Sequence, residues 1–228
     1  PDGRYVMIES IHRPFSYLVT VNRFPSKIDI FDTAGTLVKT LTDIPLQENV
    51  PWGQDAAPSG QRNHNWRNDA PATVYWVEAK DGGDPKRKIA IRDVVYTLDA
   101  PFSGEAKEIY AAANRFGGVT WGNEQTALFS ERWNATRKII TKLVNPSNPA
   151  NPVVLFDRSS EDRYNNPGTP ELKKNAYGEY VLDITAANEI YLTGQGASPE
   201  GDRPFVDVYS LTTKQATRLF RSEAPFFE

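Results

Sequence analysis

A strand, turn, strand unit that returns four times constrains this chain more than any other feature. The copies run from Lys27-Ile-Asp-Ile-Phe-Asp to Leu41, from Arg92-Asp-Val-Val-Tyr-Thr-Leu-Asp to Ile109, from Lys138-Ile-Ile-Thr-Lys-Leu-Val to Leu155-Phe156, and from Phe205-Val-Asp-Val-Tyr-Ser-Leu to Leu219-Phe220. A further β-rich run precedes each one: Tyr5-Val-Met-Ile, Thr73-Val-Tyr-Trp-Val, Thr126-Ala-Leu-Phe-Ser and Glu189-Ile-Tyr-Leu-Thr. A strand set of this kind cannot hide both faces of its sheet alone, so successive copies must stack, and radial stacking makes them propeller blades. The expected fold is all-β: a partial β-propeller of about four blades of antiparallel strands, at about 1–45, 62–113, 116–158 and 170–223, in one domain over 1–228.

Short alternating runs of Val, Ile, Tyr, Phe, Trp and Thr, cut by Gly, Pro, Asn and Asp, replace the helical period almost everywhere. The exception is Gly104 to Asn114, where Glu105-Ala-Lys-Glu-Ile-Tyr-Ala-Ala-Ala has good helix propensity. The repeat overrides it, since the same place in the other copies is a strand. Thr33-Ala-Gly-Thr, Ala100-Pro-Phe-Ser-Gly, the Asn-Pro run from Asn145 and Thr212-Thr-Lys-Gln read as hairpin turns. The equivalent positions Ile28, Val94, Ile139 and Val206 are 66, 45 and 67 residues apart, so two intervals carry insertions, read as Pro45 to Asn65 and Asp157 to Lys174. The large side chains Trp66, Tyr75, Trp76, Trp121, Phe129, Phe156 and Phe220 are expected to fill the space between blades. Pro1-Asp2-Gly3-Arg4 is turn chemistry feeding a strand, which reads as a fragment whose first blade is one strand short.

The 228 residues contain no cysteine, which removes thiol nucleophiles, thiolate metal sites and disulfides. A net charge of -3 offers no broad positive field, so neither nucleic acid nor membrane is an expected partner. No cofactor and no metal is expected. His12 and His64 are too far apart for a short-spaced ligand pair, and Asp81-Gly-Gly-Asp84 reads as a turn rather than a calcium loop.

Serine catalysis needs a strained nucleophile turn, a histidine base and an acid to orient it. The chain has no Gly-x-Ser-x-Gly, and in Gly194-Gln-Gly-Ala-Ser-Pro-Glu-Gly a proline follows Ser198 where an oxyanion-binding N–H would have to stand. No catalytic residue is expected. Arginines set among aromatic and acidic neighbours are the candidate substrate-binding groups: Arg13 in His12-Arg-Pro-Phe, Arg132 beside Glu131 in Glu131-Arg-Trp, Arg163 in Glu161-Asp-Arg-Tyr, and Arg203 in Asp202-Arg-Pro-Phe. Guanidinium there either ties neighbouring segments to a carboxylate or presents a rigid fork to an acidic ligand. Arg132, after a predicted inner strand, ranks first and Arg163 second. The repeated Arg-Pro-Phe is expected to lead into the third strand of the first and last copies.

Longer strings carry a resemblance. Pro1-Asp-Gly-Arg-Tyr-Val, His12-Arg-Pro-Phe-Ser-Tyr-Leu-Val, Arg92-Asp-Val-Val-Tyr-Thr-Leu-Asp-Ala-Pro-Phe-Ser-Gly-Glu, Gly118-Val-Thr-Trp-Gly, Leu155-Phe-Asp-Arg-Ser-Ser-Glu-Asp-Arg-Tyr and Gly196-Ala-Ser-Pro-Glu-Gly-Asp-Arg-Pro-Phe resemble the propeller of the prolyl oligopeptidase family, nearest its glutamyl endopeptidase-like branch. The resemblance implies a propeller that admits peptides to a Ser-Asp-His triad on an α/β-hydrolase domain, which this segment does not include. It implies a peptide substrate as partner through that domain, and a chloroplast location in plants or a periplasmic or secreted one in bacteria. Two other readings stand beside it: a stand-alone binding propeller, and a glycoside-active propeller with Glu131 and Asp162 as its acid pair. Open blade faces would favour self-association.

Overall fold

β-Branched and aromatic residues alternating over five to eight positions make the ladders of this protein, a computed structural model that describes residues 1–51 and 53–223. The first sheet is β1 (Tyr5–Ile11), β2 (Ser26–Asp32) and β3 (Leu37–Ile44), in that spatial order. The second is β4 (Gly60–Trp66), β5 (Thr73–Ala79), β6 (Asp93–Asp99) and β7 (Lys107–Ala112), again in chain order. The third is β8 (Arg115–Asn123), β9 (Thr126–Trp133), β10 (Lys138–Val144) and β11 (Val153–Ser159). There follow β12 (Thr169–Pro170), β13 (Leu172–Lys174), β14 (Tyr180–Leu182), β15 (Glu189–Gly194), β16 (Ala197–Ser198), β17 (Gly201–Asp202), β18 (Phe205–Ser210) and β19 (Ala216–Arg221). The fourth sheet has the order β12-β15-β18-β19, while β13 with β14 and β16 with β17 form small hairpins. All named pairs are antiparallel, as in the blades of a partial propeller.

The chain forms two compact units, 1–116 and 117–228. In the first, Ile30 of β2 packs on Ala72, Val74, Trp76, Leu98 and Phe102 of the second-sheet region, so the two sheets meet face to face. Tyr5 closes this core edge-on against Phe102, ring centroids 5.1 Å apart. In the second, Leu128 of β9 joins Leu182, Ile190, Leu192, Tyr209 and Leu211, and Phe156 leans on Tyr209 at 5.1 Å. Each buried Val, Leu, Ile or Phe among these contributes about 1.5–3 kcal/mol. In every large sheet the last two strands are paired across a register shift: β2 with β3, β6 with β7, β10 with β11, β18 with β19. The middle pairs β5 with β6, β9 with β10 and β15 with β18 run without one.

Within 104–114 the chain is strand at Lys107–Ala112, where the repeat required it. Ile109, Tyr110 and Ala112 of β7 are buried, so tertiary burial outweighs local helix propensity. The first sheet has three strands, also as expected. Three expectations need correction. The stretch Pro45 to Asn65 is not simply an insertion, because it holds most of β4; Gly-Gln-Arg-Asn-His-Asn-Trp is a strand almost without apolar residues, so period-2 hydrophobicity does not reveal it. The stretch Asp157 to Lys174 likewise contains the end of β11, all of β12 and β13. Phe220 is 57% exposed on β19, a strand exposed along its whole length, whereas Trp76, Trp121 and Phe129 are buried and Trp66, Tyr75 and Phe156 half-buried.

Candidate functional site

In the second unit a cavity of about 650 Å³ opens where the ends of β15 and β18 meet the connection 160–168. Its floor is shaped by glycine. Gly194 and Gly168 leave room for the Phe205 ring, which a Cβ on Gly194 would meet at 2.6 Å, and Phe205 is buried as a result. Gly196 adopts φ +64, and its carbonyl accepts the Arg203 N–H at 3.0 Å; a Cβ there would run into the Arg203 carbonyl oxygen. This contact fixes the start of β18 against the β16–β17 hairpin. Phe205, Val206 and the exposed ring of Phe220 make the apolar side, and Thr169, Thr193 and Gln195 the polar side.

Arg163 lines this cavity. Its side chain is 67% exposed, and its Nη2 stands 3.3 and 3.4 Å from the two carboxylate oxygens of Asp202. That is a loose surface pair of the kind worth about 0–1 kcal/mol, so the guanidinium can exchange it for another carboxylate. Arg203 stands on the same hairpin with its side chain mostly covered and paired to Glu200. The fold therefore brings Arg163 and Arg203 together around β16–β17.

The other candidates are placed elsewhere. Arg132 lies within β9, the second strand of its sheet, and does not follow it; it is exposed and paired in register with Ile139. Its neighbour Glu131 points to the opposite face, fully buried, and accepts a hydrogen bond from Lys142 Nζ at 2.7 Å. That carboxylate serves the interior of the third sheet. Arg13 belongs to the first unit, in the connection between β1 and β2, with its guanidinium 5.8 Å from the Phe15 ring. The two Arg-Pro-Phe strings are not equivalent: Arg203-Pro-Phe runs directly into β18 with Phe205 buried, whereas Arg13-Pro-Phe leaves β1 with Phe15 exposed and stacked on Phe24 at 5.4 Å.

A charged cluster in the first unit escaped sequence reasoning. Arg115 forks onto both oxygens of Asp81 and also reaches Asp93 at 3.0 Å, Arg92 donates to Asp81 at 2.8 Å, and Arg62 pairs with Asp93. Burial raises the Asp81 pKa, but hydrogen bonds and charge from Arg115 and then Arg92 outweigh it and hold the carboxyl below its ordinary value. The expected turn is present, with Asp81 accepting the Gly83 N–H at 2.9 Å, yet its carboxylate also anchors this network. Next to it, a cavity of about 440 Å³ is lined by Glu9, Asn22, Gln47, Gln61, Arg62 and His64. Burial depresses His64 to about 4 against the upward pull of Glu9 and Glu78, so this ring is neutral at pH 7. His12, by contrast, is held above its ordinary value by the Arg13 carbonyl and by Asp43, 2.9 Å away. Among the described residues no group of His, Asp or Glu is arranged to hold a metal ion.

No family model matches the chain. It is 41% identical over 98% of its length to a protein of Oryza sativa subsp. japonica described as a probable chloroplastic glutamyl endopeptidase. The Arabidopsis thaliana protein of the same description is 39% identical over 97% of the chain. In both, this chain spans 24% of the relative's length. Among solved structures it is similar to the β-propeller domain of the trilobed protease from Pyrococcus furiosus (TM-score 0.49, 10% identity, 97% of this chain and 56% of that one). Dipeptidyl peptidase 4 of Porphyromonas gingivalis is similar at TM-score 0.40 and 11% identity, over 87% of this chain and 37% of that one.

Proposed function

Because this chain is similar along nearly its whole length to two proteins described as probable glutamyl endopeptidases, we propose that it is the substrate-gating propeller segment of a serine-type peptidase of the prolyl oligopeptidase family. In this reading it walls the approach to a catalytic domain elsewhere in the full-length protein and carries no catalytic group itself. The observation that carries the proposal is the 41% identity along 98% of the chain, confined to a quarter of a relative described as a glutamyl endopeptidase. Two features of the chain support it. Among the described residues neither histidine has a serine as hydrogen-bond partner: His12 faces Arg13 and Asp43, and His64 faces Gln61. One guanidinium, Arg163, stands largely exposed beside an apolar cavity.

In this mechanism the acidic side chain of an extended peptide takes the place of Asp202 on Arg163, and its flanking apolar groups rest on Phe205 and Phe220. The exchange keeps one carboxylate on the guanidinium throughout, so it costs little desolvation, and the planar fork favours a carboxylate over the isosteric amide. Chemistry follows on the other domain. The test uses the full-length protein. Arg163→Lys keeps the charge and loses the fork, so kcat/KM for Glu-containing peptides should fall about 5- to 10-fold relative to their Gln counterparts. An equal change for both substrates refutes the role of Arg163. Labelling of a serine within residues 1–228 by a fluorophosphonate probe refutes the non-catalytic role.

A further inference from the structure

We propose that the second unit holds a further carboxylate site, centred on Arg221 and next to the one on Arg163, so that the peptide bound there carries two acidic side chains. The inference rests on the peptide-binding role given to Arg163 and extends it from one acidic residue to two.

A bulge in the last strand creates the site. β18 and β19 pair Phe205 with Arg221, Val206 with Phe220 and then Asp207 with Arg218, so Leu219 has no partner. Residues three apart on a regular strand point to opposite faces. Here the extra residue turns Arg218 and Arg221 to one face, that of Phe205 and Asp207, because directly paired residues share a face.

A cavity of about 280 Å³ lies on that face, lined by Tyr164, Asn165, Asn166, Asp207, Arg218 and Arg221. It shares Asn166, Gly196, Ala197 and Phe205 with the cavity of Arg163, so the two are neighbours. The connection 160–168 serves both, with Arg163 in one and Tyr164 and Asn165 in the other. Its course is fixed by its own hydrogen bonds. Asp162 accepts the Asn165 N–H at 3.0 Å and its side-chain amide at 2.8 Å, and Asn166 accepts the Gly168 N–H at 3.2 Å.

Charge pairing singles out Arg221. Arg163 has Asp202, Arg203 has Glu200, and Arg218 has Asp207 through both Nε and Nη2. Arg218 also lies over the Phe205 ring, its guanidinium carbon 4.4 Å from the centroid, so the carboxylate and the ring together hold it in place. Arg221 is exposed and, among the described residues, has no carboxylate partner. These four guanidinium groups thus have three carboxylates between them, and the unmatched charge is at Arg221. An uncompensated guanidinium at the edge of a small cavity attracts an anion, and its planar fork selects a carboxylate.

The occupant follows from the neighbouring site. A peptide whose first acidic side chain exchanges with Asp202 on Arg163 borders the wall of Gly196, Ala197 and Phe205 that both cavities share. A second acidic side chain a short way along the same peptide then meets Arg221. Unlike the first, it displaces no carboxylate of the protein.

The test compares peptide substrates of the full-length protein. A second Glu, walked through the positions around the first, should at one of them raise kcat/KM about 3- to 5-fold over Gln in that place. In Arg221→Gln this ratio should fall below about 1.5-fold, while the Glu over Gln ratio at the first acidic position, which Arg163 reads, stays as in the parent. Arg221→Lys keeps the charge and should keep part of the ratio. Arg221 is exposed, so both variants should melt as the parent does. Indifference to a second Glu at every position overturns the proposal, as does a preference that survives in Arg221→Gln. Loss of both ratios together in Arg221→Gln overturns it in favour of a single shared site. Failure of the role given to Arg163 shows separately, as a first-position ratio that Arg163→Lys leaves unchanged, and the second-position ratio in Arg221→Gln decides this proposal independently of it.

Discussion

Arg115 grips Asp81 by both carboxylate oxygens, Nη1 to Oδ1 at 2.9 Å and Nη2 to Oδ2 at 2.8 Å, across 34 residues of sequence and with the Asp81 side chain fully buried. The clasp ties the start of β8 to the turn after β5, and Arg92 and Asp93 extend it. Two carboxylates here face three guanidinium groups, one positive charge in excess, so the loss of either carboxylate leaves arginine charge uncompensated.

Asp81→Asn should therefore destabilise the fold by about 3–5 kcal/mol, because it leaves buried arginines without their counter-charge. The shift of the urea midpoint at constant m-value measures this. Asp202→Asn, which removes only the exposed pair to Arg163, should cost less than about 1 kcal/mol. The folded Asp81 pKa lies below its unfolded value, so its contribution is complete above about pH 4 and is lost as pH falls through the folded value. Acid unfolding of Asp81→Asn should accordingly be less steep than that of the parent below pH 4.

His64 makes the opposite kind of titration visible. Its folded pKa of about 4 lies under the ordinary histidine value of 6.5, so the folded state disfavours the charged ring. Stability from the neutral ring is complete above pH 6.5 and declines as pH falls toward 4, by up to about 3 kcal/mol. Denaturant melts at pH 5 and pH 7 should differ in this direction, and His64→Gln should flatten the difference. A variant with the parent's pH dependence would place the effect on other groups.

Gly196 is the position where the cavity depends on a missing side chain. Gly196→Ala forces a left-handed φ on alanine and drives its Cβ into the Arg203 carbonyl, so a loss of at least about 2 kcal/mol is expected. Gly104→Ala, with φ outside the left-handed region and open space around a Cβ, is the matched control and should be near neutral. Thermal melts of both variants check the contrast.

Arg132 and Arg163 separate by the same substitution. In the full-length protein the preference for Glu- over Gln-containing peptides should drop about 5- to 10-fold in Arg163→Lys and less than about 2-fold in Arg132→Lys. Arg132 is exposed on a regular strand, away from the lining of the cavity that Arg163 shares with Phe205. Equal losses in both variants would return Arg132 to the site.

The sequence alone determined what depends on nearest neighbours and on repetition. Alternation at Lys27-Ile-Asp-Ile-Phe-Asp and at its three counterparts specified strands, the turn residues specified where they reverse, and recurrence made residues 107–112 a strand against their helical propensity. The long strings that resemble a known family pointed to the propeller. Tertiary structure decided everything that needs partners far apart in the chain. β4 is legible only in its ladder with β5, because Gly-Gln-Arg-Asn-His-Asn-Trp has no apolar period to read. Glu131 and Arg132 are adjacent in sequence, yet strand geometry sends one into the interior and leaves the other exposed. Asp81, an ordinary turn residue by its neighbours Gly82 and Gly83, becomes an anchor because folding brings Arg92 and Arg115 to it. Pattern records the conformation each residue prefers, whereas an ion pair or a cavity depends on where distant segments arrive in space, and only packing sets that.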